Sequence, residues 1–302
     1  MTASYTYASA LAASEKIRWR VEDVIGGDKR LDFEKPFLPE ALARTSGLEF
    51  LSPTERRTLN QIRGHEYLSI FGLVEEFILP FVVDHARPQL GGDDFRARAL
   101  LEFAGEEAKH IQLFRRFREE FQKGFGHACE VLGPGPAVAR EVLAHDPLSV
   151  ALVILHIEWM TQRHYLESAR DDQGLDPQFA SLLRHHWMEE AQHAHLDGLM
   201  VEALAAGRSP AEIESAIDGY LDIGGFLDRG LAAQGEMNLR SLERAIGREL
   251  SSGERERLLT VQRQALRWTY LGSGMTHPQF VEVLSGLGTA ASRVAAVAPA
   301  LS

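Results

Sequence analysis

Apolar residues recur along this chain at helical spacing, and no stretch alternates as a strand does. The strongest periodic runs lie between residues 52 and 207, and each opens on capping chemistry. Ser52-Pro53 with Glu55 forms Ser-x-x-Glu, a capping box with proline at the first helical position. It predicts a helix to about Arg87, ended by Pro88 and Gly91-Gly92. Pro80 inside it removes a backbone hydrogen bond and predicts a kink close to Glu75 and Glu76. A second helix follows Asp93-Asp94 and reaches about Lys123. A short piece, Pro136 to Ala144, follows the turn Gly133-Pro134-Gly135-Pro136. Asp146-Pro147 opens a third long helix to about Ala169, and Asp176-Pro177 opens a fourth that ends near Gly207. The expected class is all-α, a four-helix bundle, with the longer second-to-third connection as its crossover.

The flanks read as additions to that bundle. Residues 1–50 are expected to form an arm packed over it, with a short helix from Glu15 to Ile25 and an extended segment from Lys35 to Pro39. Residues 208–302 read as a helical extension of the same domain as the bundle, residues 51–207. Ser209-Pro210 opens a fifth helix, to about Ala233. Ser251-x-x-Glu254 opens a sixth, to about Leu271, and Pro278 opens a last piece. The tail from Gly288 is rich in small residues and is expected to be loose.

Candidate chemistry lies where polar residues interrupt apolar stripes. On the second helix Glu107 and His110 fall at the centre of the face made by Phe103, Phe114, Phe117 and Phe121. On the fourth, Phe179, Leu183, His186, Glu190, His193 and Asp197 share one stripe. Glu107-x-x-His110 and Glu190-x-x-His193 each put a carboxylate and an imidazole on one helical face, because three residues turn a helix by about 300°. The pairs are 83 residues apart, and the same shift relates Glu75 to Glu158, which sits inside the apolar run from Val150 to Met160. On the first helix Glu75 borders the stripe of Tyr67, Phe71, Val74, Ile78 and Phe81. Glu76, the alternative, joins Glu66, Ser69, Gly72 and Asp84. A buried charge needs a partner, and a metal supplies one. Glu75, Glu107, His110, Glu158, Glu190 and His193 make one Glu from each of two helices and Glu-x-x-His from each of the other two. That is the donor pattern of di-iron and di-manganese carboxylate bundles. Carboxylates with imidazole suit two iron ions, with manganese possible.

Composition narrows the partners. The formal net charge of −11 argues against nucleic acid and anionic membrane surfaces. The single cysteine, Cys129, allows no intrachain disulfide and fits a reducing, cytoplasmic compartment. Met1 to Ser14 has neither the basic start nor the apolar core of a signal peptide. Val150 to Ile157, the longest apolar run, is too short to span a membrane. The glycine-rich pieces follow no strand, so no flavin or nicotinamide fingerprint is present and electrons must come from an external donor.

With this donor set the sequence resembles the ferritin-like di-iron oxygenases over roughly residues 55–205. His186, one turn before Glu190, narrows the resemblance to the p-aminobenzoate N-oxygenase family, the arylamine oxygenases. The resemblance implies His186 as a seventh protein ligand, dioxygen as co-substrate, N-oxygenation of a small aromatic amine and a homodimer. Other readings are a C–H hydroxylase, oxidase or desaturase-like enzyme on the same metals, and iron storage or peroxide detoxification. In related bundles the acidic residue at Glu106 and Glu189 orients a metal-bound histidine. Asp197, one turn past His193, is a candidate for similar work. His156, His164 and His195 read as ordinary polar contacts. Tyr165 shares the face of Glu158, as either a pocket-lining or a core residue.

Overall fold

A computed structural model describes residues 5–92, 94–288 and 291–301. The expectations for Met1 to Ser4 and for Asp93 as part of a helix start lie outside the described residues. The fold is all-α, and no strand occurs among the described residues. Three short helices come first: α1 (Tyr7–Ser14), α2 (Val21–Val24) and α3 (Glu40–Ala43). The bundle is α4 (Pro53–Ala86), α5 (Asp94–Phe125), α7 (Pro147–Arg163) and α8 (Pro177–Ala205), with α6 (Gly135–Leu143) in the crossover. After it come α9 (Pro210–Ile246), α10 (Ser252–Arg267), α11 (Ser273–Met275), α12 (Pro278–Gly286) and α13 (Ala291–Val297). Wide π turns, His164–Ala169 and Trp268–Gly272, extend α7 and α10.

The caps do what their chemistry dictates. Ser52, Ser209 and Ser251 each accept from the backbone N–H three residues on, and the Glu at that position returns the bond. Asp146 and Asp176 cap α7 and α8 ahead of Pro147 and Pro177. α4 pairs with α5 and α7 with α8, so the bundle is two helix pairs face to face. Pro80 sits within a single α4, which continues to Ala86.

Two outer layers close the bundle on opposite sides. The N-terminal segment packs on α5 and α8 through α1 and α2. Helix α9 lies across α4 and α7, and α10 packs on α9. The extended stretch near Pro36 is tied down by the Asp176 N–H, which donates to the Pro36 carbonyl. Asn60 binds the backbone of Phe37 and Leu38.

Three expectations need correction. The predicted helix from Glu15 to Ile25 does not form. Thr6 and Ser9 build a capping box that starts a helix earlier, and only one turn, α2, lies within the predicted span. Helix α9 runs 13 residues beyond Ala233, to Ile246. No proline interrupts it, and it stops at Gly247, whose φ of 69° is the left-handed ending that glycine adopts without strain. The tail is not loose from Gly288 on: α13 forms, and Val294, Ala298 and Leu301 are buried against the core. Residues 289, 290 and 302 lie outside the described set. No helix among the described residues is long and apolar enough to cross a membrane.

Buried histidines away from the candidate metal ligands, His65 and His164 among them, set a pH limit on stability. Burial pulls His65 down to about 4, with Arg118 adding to the effect, and burial pulls His164 down to about 3. Both must be neutral in the fold and charge freely once unfolded, at about 6.5. Their contribution is therefore complete above pH 6.5 and is lost as pH falls towards 4. For His65 the full loss is about 3 kcal/mol. In His65→Phe, which keeps a ring against Phe121, the drop in melting temperature between pH 7 and pH 5 should shrink by a few degrees. An unchanged slope would contradict this assignment.

Candidate metal centre

The bundle interior brings the two Glu-x-x-His pairs together from α5 and α8. His110 Nδ1 lies 3.5 Å from Glu107 Oε2 and 3.1 Å from Glu190 Oε1. His193 Nδ1 lies 3.0 Å from Glu107 Oε1 and 3.3 Å from Glu190 Oε2. His186 Nε2 lies 2.6 Å from Glu190 Oε1 and 3.4 Å from Glu75 Oε1. Two donor groups emerge, each with its ligand atoms within 4.8 Å of one another. One is Glu75, His110, His186 and Glu190; the other is Glu107, His110, Glu190 and His193. Glu158 belongs to neither group but feels the charge of Glu190 and Glu107, and it is 1% exposed. Glu75 is buried at the cluster, whereas Glu76 is exposed and packs beside Gly135.

The imidazoles are held from behind by the opposite helix. His110 Nε2 lies 2.9 Å from Glu189 Oε2, and His193 Nε2 lies 2.8 Å from Glu106 Oε2. The acid preceding each helix's Glu thus orients the histidine of the other helix. With Nε2 engaged outward, Nδ1 of both rings faces the cluster. The acids have further partners of their own. Ser14 Oγ donates to Glu106 at 2.5 Å, and Lys109 Nζ donates to Glu189. The N-terminal segment closes this side, with the Trp19 ring 6.1 Å from His110 and the Lys109 ammonium 4.0 Å above Trp19.

Electrostatics mark the cluster as a place for cations. Burial opposes charge on His110, but Glu107, Glu189 and Glu190 outweigh it and hold its pKa well above the ordinary value. His193 is raised in the same way by Glu190, Glu106 and Glu107. Burial opposes ionisation of Glu190 as well, yet His186 and its other partners hold it well below the carboxylate range. Burial, with Glu190 close by, pushes Glu158 well up. For His186 burial prevails and favours the neutral ring, the form that binds metal.

The residues present fit a metal pair. Both oxygens of Glu107, one oxygen each of Glu75, Glu158 and Glu190, His110 Nδ1 and His186 Nε2 are buried without a hydrogen-bond partner among the described residues. Buried polar atoms left so are costly unless something else binds them. The four central carboxylates carry charge that two divalent ions would balance. The donors are oxygen and imidazole nitrogen without thiolate, which suits iron or manganese.

The remaining candidates lie around this cluster. Asp197 is fully buried with neither oxygen hydrogen-bonded among the described residues, and burial pushes its pKa well up. His156 meets the Tyr220 hydroxyl at 2.7 Å; His164 meets the Tyr67 hydroxyl at 3.1 Å and the Ser273 hydroxyl at 3.2 Å. His195 stacks on Tyr5. Tyr165 is half-buried and stacks on Trp187, so it lines no cavity at the cluster.

Sequence reasoning missed two features. One is a buried network in which Arg63, Asn238 and Tyr270 all engage Glu66. Arg63-x-x-Glu66 was a visible hint, but its partners lie some 170 to 200 residues away. The other is an apolar cavity of about 200 Å³ between α4, α7 and α9. Its walls on α4 (Ile70, Leu73, Val74, Phe77) and α7 (Ile157, Met160) are the turns that carry Glu75 and Glu158. No short motif encodes such a wall.

No family model matches the chain, and no curated protein matches it. Solved structures that match include two tyrosine-to-phenylalanine mutants of an R2-like ligand-binding oxidase with reconstituted Mn/Fe cofactor. They are 14% and 15% identical, with 89% of this chain and 94% of theirs covered and TM-scores of 0.47. A glycine-to-leucine mutant with an aerobically reconstituted Fe/Fe cofactor matches at 14% identity over the same shares, with a TM-score of 0.46.

The crossed acid–histidine contacts make a direct prediction. Glu106→Gln and Glu189→Gln, which remove the charge behind each ring, should each weaken iron binding by roughly 10- to 100-fold, the usual cost of altering the group that orients a ligand. The exposed Glu76→Gln should leave it unchanged. Titration of purified chain with ferrous ion reads both. Equal affinity in all three variants would rule out the orienting role.

Proposed function

We propose that this chain is a dimetal oxygenase that uses dioxygen to oxidise a small organic substrate, by N-oxygenation of an aromatic amine. One observation carries the reading. Glu75, Glu107, His110, His186, Glu190 and His193, with Glu158 alongside, converge in a buried cluster in which all but His193 present an atom without a hydrogen-bond partner among the described residues. Those seven residues are the proposed ligands, and His110 and Glu190 belong to both donor groups. Iron is the proposed metal, with manganese accepted by the same donors. When bound, the pair would supply dioxygen binding and the redox chemistry of oxygen insertion.

The chain's own residues do the rest. Glu106 and Glu189 hold the rings of His193 and His110 so that Nδ1 faces inward. Trp19 and α1 close the histidine side against water, and α9 closes the side of Glu75 and Glu158. His186 adds a neutral nitrogen donor beyond the usual six, and this residue carries the resemblance to arylamine oxygenases. By the same resemblance the protein works as a homodimer. An external donor supplies electrons, and the unpaired Cys129 fits a cytoplasmic setting.

A second reading, C–H hydroxylation on the same metals, is favoured by one observation: the cavity against the α4 and α7 turns that carry Glu75 and Glu158 is walled almost wholly by hydrocarbon. Iron storage fits poorly with that apolar space.

The test is to load the chain with ferrous ion, supply a chemical reductant and dioxygen, and analyse products from aniline by mass spectrometry. Hydroxylamine, nitroso or nitro products are expected. His186→Ala should lower their yield at least about tenfold while keeping near two metals per chain. Ring hydroxylation alone would transfer the assignment to the second reading.

A further inference from the structure

The cavity between α4, α7 and α9 has a chemical character that narrows the substrate. Fourteen residues line it, and Tyr270 is the one among them whose side chain carries a hydroxyl, an amide or a charge. The rest are aliphatic, aromatic or thioether side chains and two glycines, Gly133 and Gly230. At Gly230 an added Cβ would come within 3.5 Å of Leu132, so the absence of a side chain there leaves room inside.

Tyr270 has little to offer an anion. Its hydroxyl donates to Glu66 Oε1 at 2.8 Å. Glu66 Oε2 accepts from Asn238 at 2.7 Å and lies 3.0 Å from Arg63 Nη1. The tyrosine proton is therefore committed to a buried carboxylate, and its oxygen is left to a ligand only as an acceptor. Arg63, the cation behind this network, is fully buried, bound to Glu66 and to the Leu42 carbonyl, and is not a lining residue. Arg140 lies on the outer side of α6, in a shallow groove with Glu76. A carboxylate entering the cavity would lose its water and meet no cation among the described lining residues. The chain's net charge of −11 opposes it further.

Size gives the second limit. A dry apolar cavity of about 150 Å³ accommodates benzene. The 200 Å³ here takes one ring with a few further heavy atoms. We infer that this cavity is the substrate site and that it selects an uncharged, single-ring aromatic molecule, excluding carboxylate-bearing arylamines. The inference rests on the oxygenase reading above and adds the substrate class. Tyr270 is its specificity residue, favouring a ring substituent that donates an N–H or O–H.

Binding to the purified chain, measured by calorimetry without turnover, tests this. Toluene, aniline and 4-aminobenzoate are the probes. Toluene and aniline should bind, and 4-aminobenzoate should bind roughly 100-fold more weakly than aniline, reflecting an unpaired buried charge. Gly230→Leu fills the cavity and should abolish toluene binding; Val138→Phe does the same from α6, should Gly230→Leu fail to fold. In Tyr270→Phe aniline should lose its advantage over toluene. Binding of 4-aminobenzoate as tight as that of aniline would overturn the inference, as would toluene binding that survives the filled cavity. Metal content is measured on the same samples. Intact toluene binding in a chain that takes up no metal would sink the oxygenase reading and leave the cavity's selectivity standing.

Discussion

A carboxylate buried without a partner costs several kcal/mol, and this bundle buries Glu75, Glu107, Glu158 and Glu190 in one place. Everything around them answers that constraint. His110, His186 and His193 sit among them, and Glu106 and Glu189 brace two of the three rings from the facing helix. Ser14 and Lys109 then satisfy the braces. The N-terminal segment, which shares no motif with the bundle, is needed because it supplies Ser14 and lays Trp19 over His110. A core of this kind is a poor way to build stability alone, since well-packed apolar residues do as well or better. Its retention points to bound cations.

The two sides of the cluster differ, and the difference organises the function. Helices α5 and α8 contribute the histidines and their braces, so that side is filled. Helices α4 and α7 contribute one central carboxylate each, and other residues of the same turns wall the apolar cavity roofed by α9 and Tyr270. Polar groups that could hold metal and apolar groups that exclude water are thus segregated within one core. The Arg63–Glu66–Asn238–Tyr270 network fixes the roof without placing an open charge in the cavity.

Much of this was legible in the sequence, for physical reasons. Capping boxes and N-terminal prolines are local, so the starts of α4, α7, α8, α9 and α10 could be read directly. The Glu-x-x-His pairs are also local, and their 83-residue spacing pointed to Glu75 and Glu158. Non-local features were not legible. Glu106 and Glu189 were visible candidates, yet that each serves the histidine of the opposite helix follows only from packing. The Tyr270 roof and the cavity depend on contacts across more than 100 residues. The N-terminal helix was misplaced because Thr6 and Ser9 form a weaker-looking box than Ser-x-x-Glu.

The central claim is that two metal ions occupy the cluster with His186 among their ligands. Anomalous diffraction at the iron edge from crystals of the iron-loaded chain, with elemental analysis of the same sample, tests it most directly. The account predicts two ions per chain, one bonded to His186, with Glu75 and not Glu76 as the α4 ligand. A single ion, no ion, or a pair that leaves His186 hydrogen-bonded to a carboxylate would contradict it.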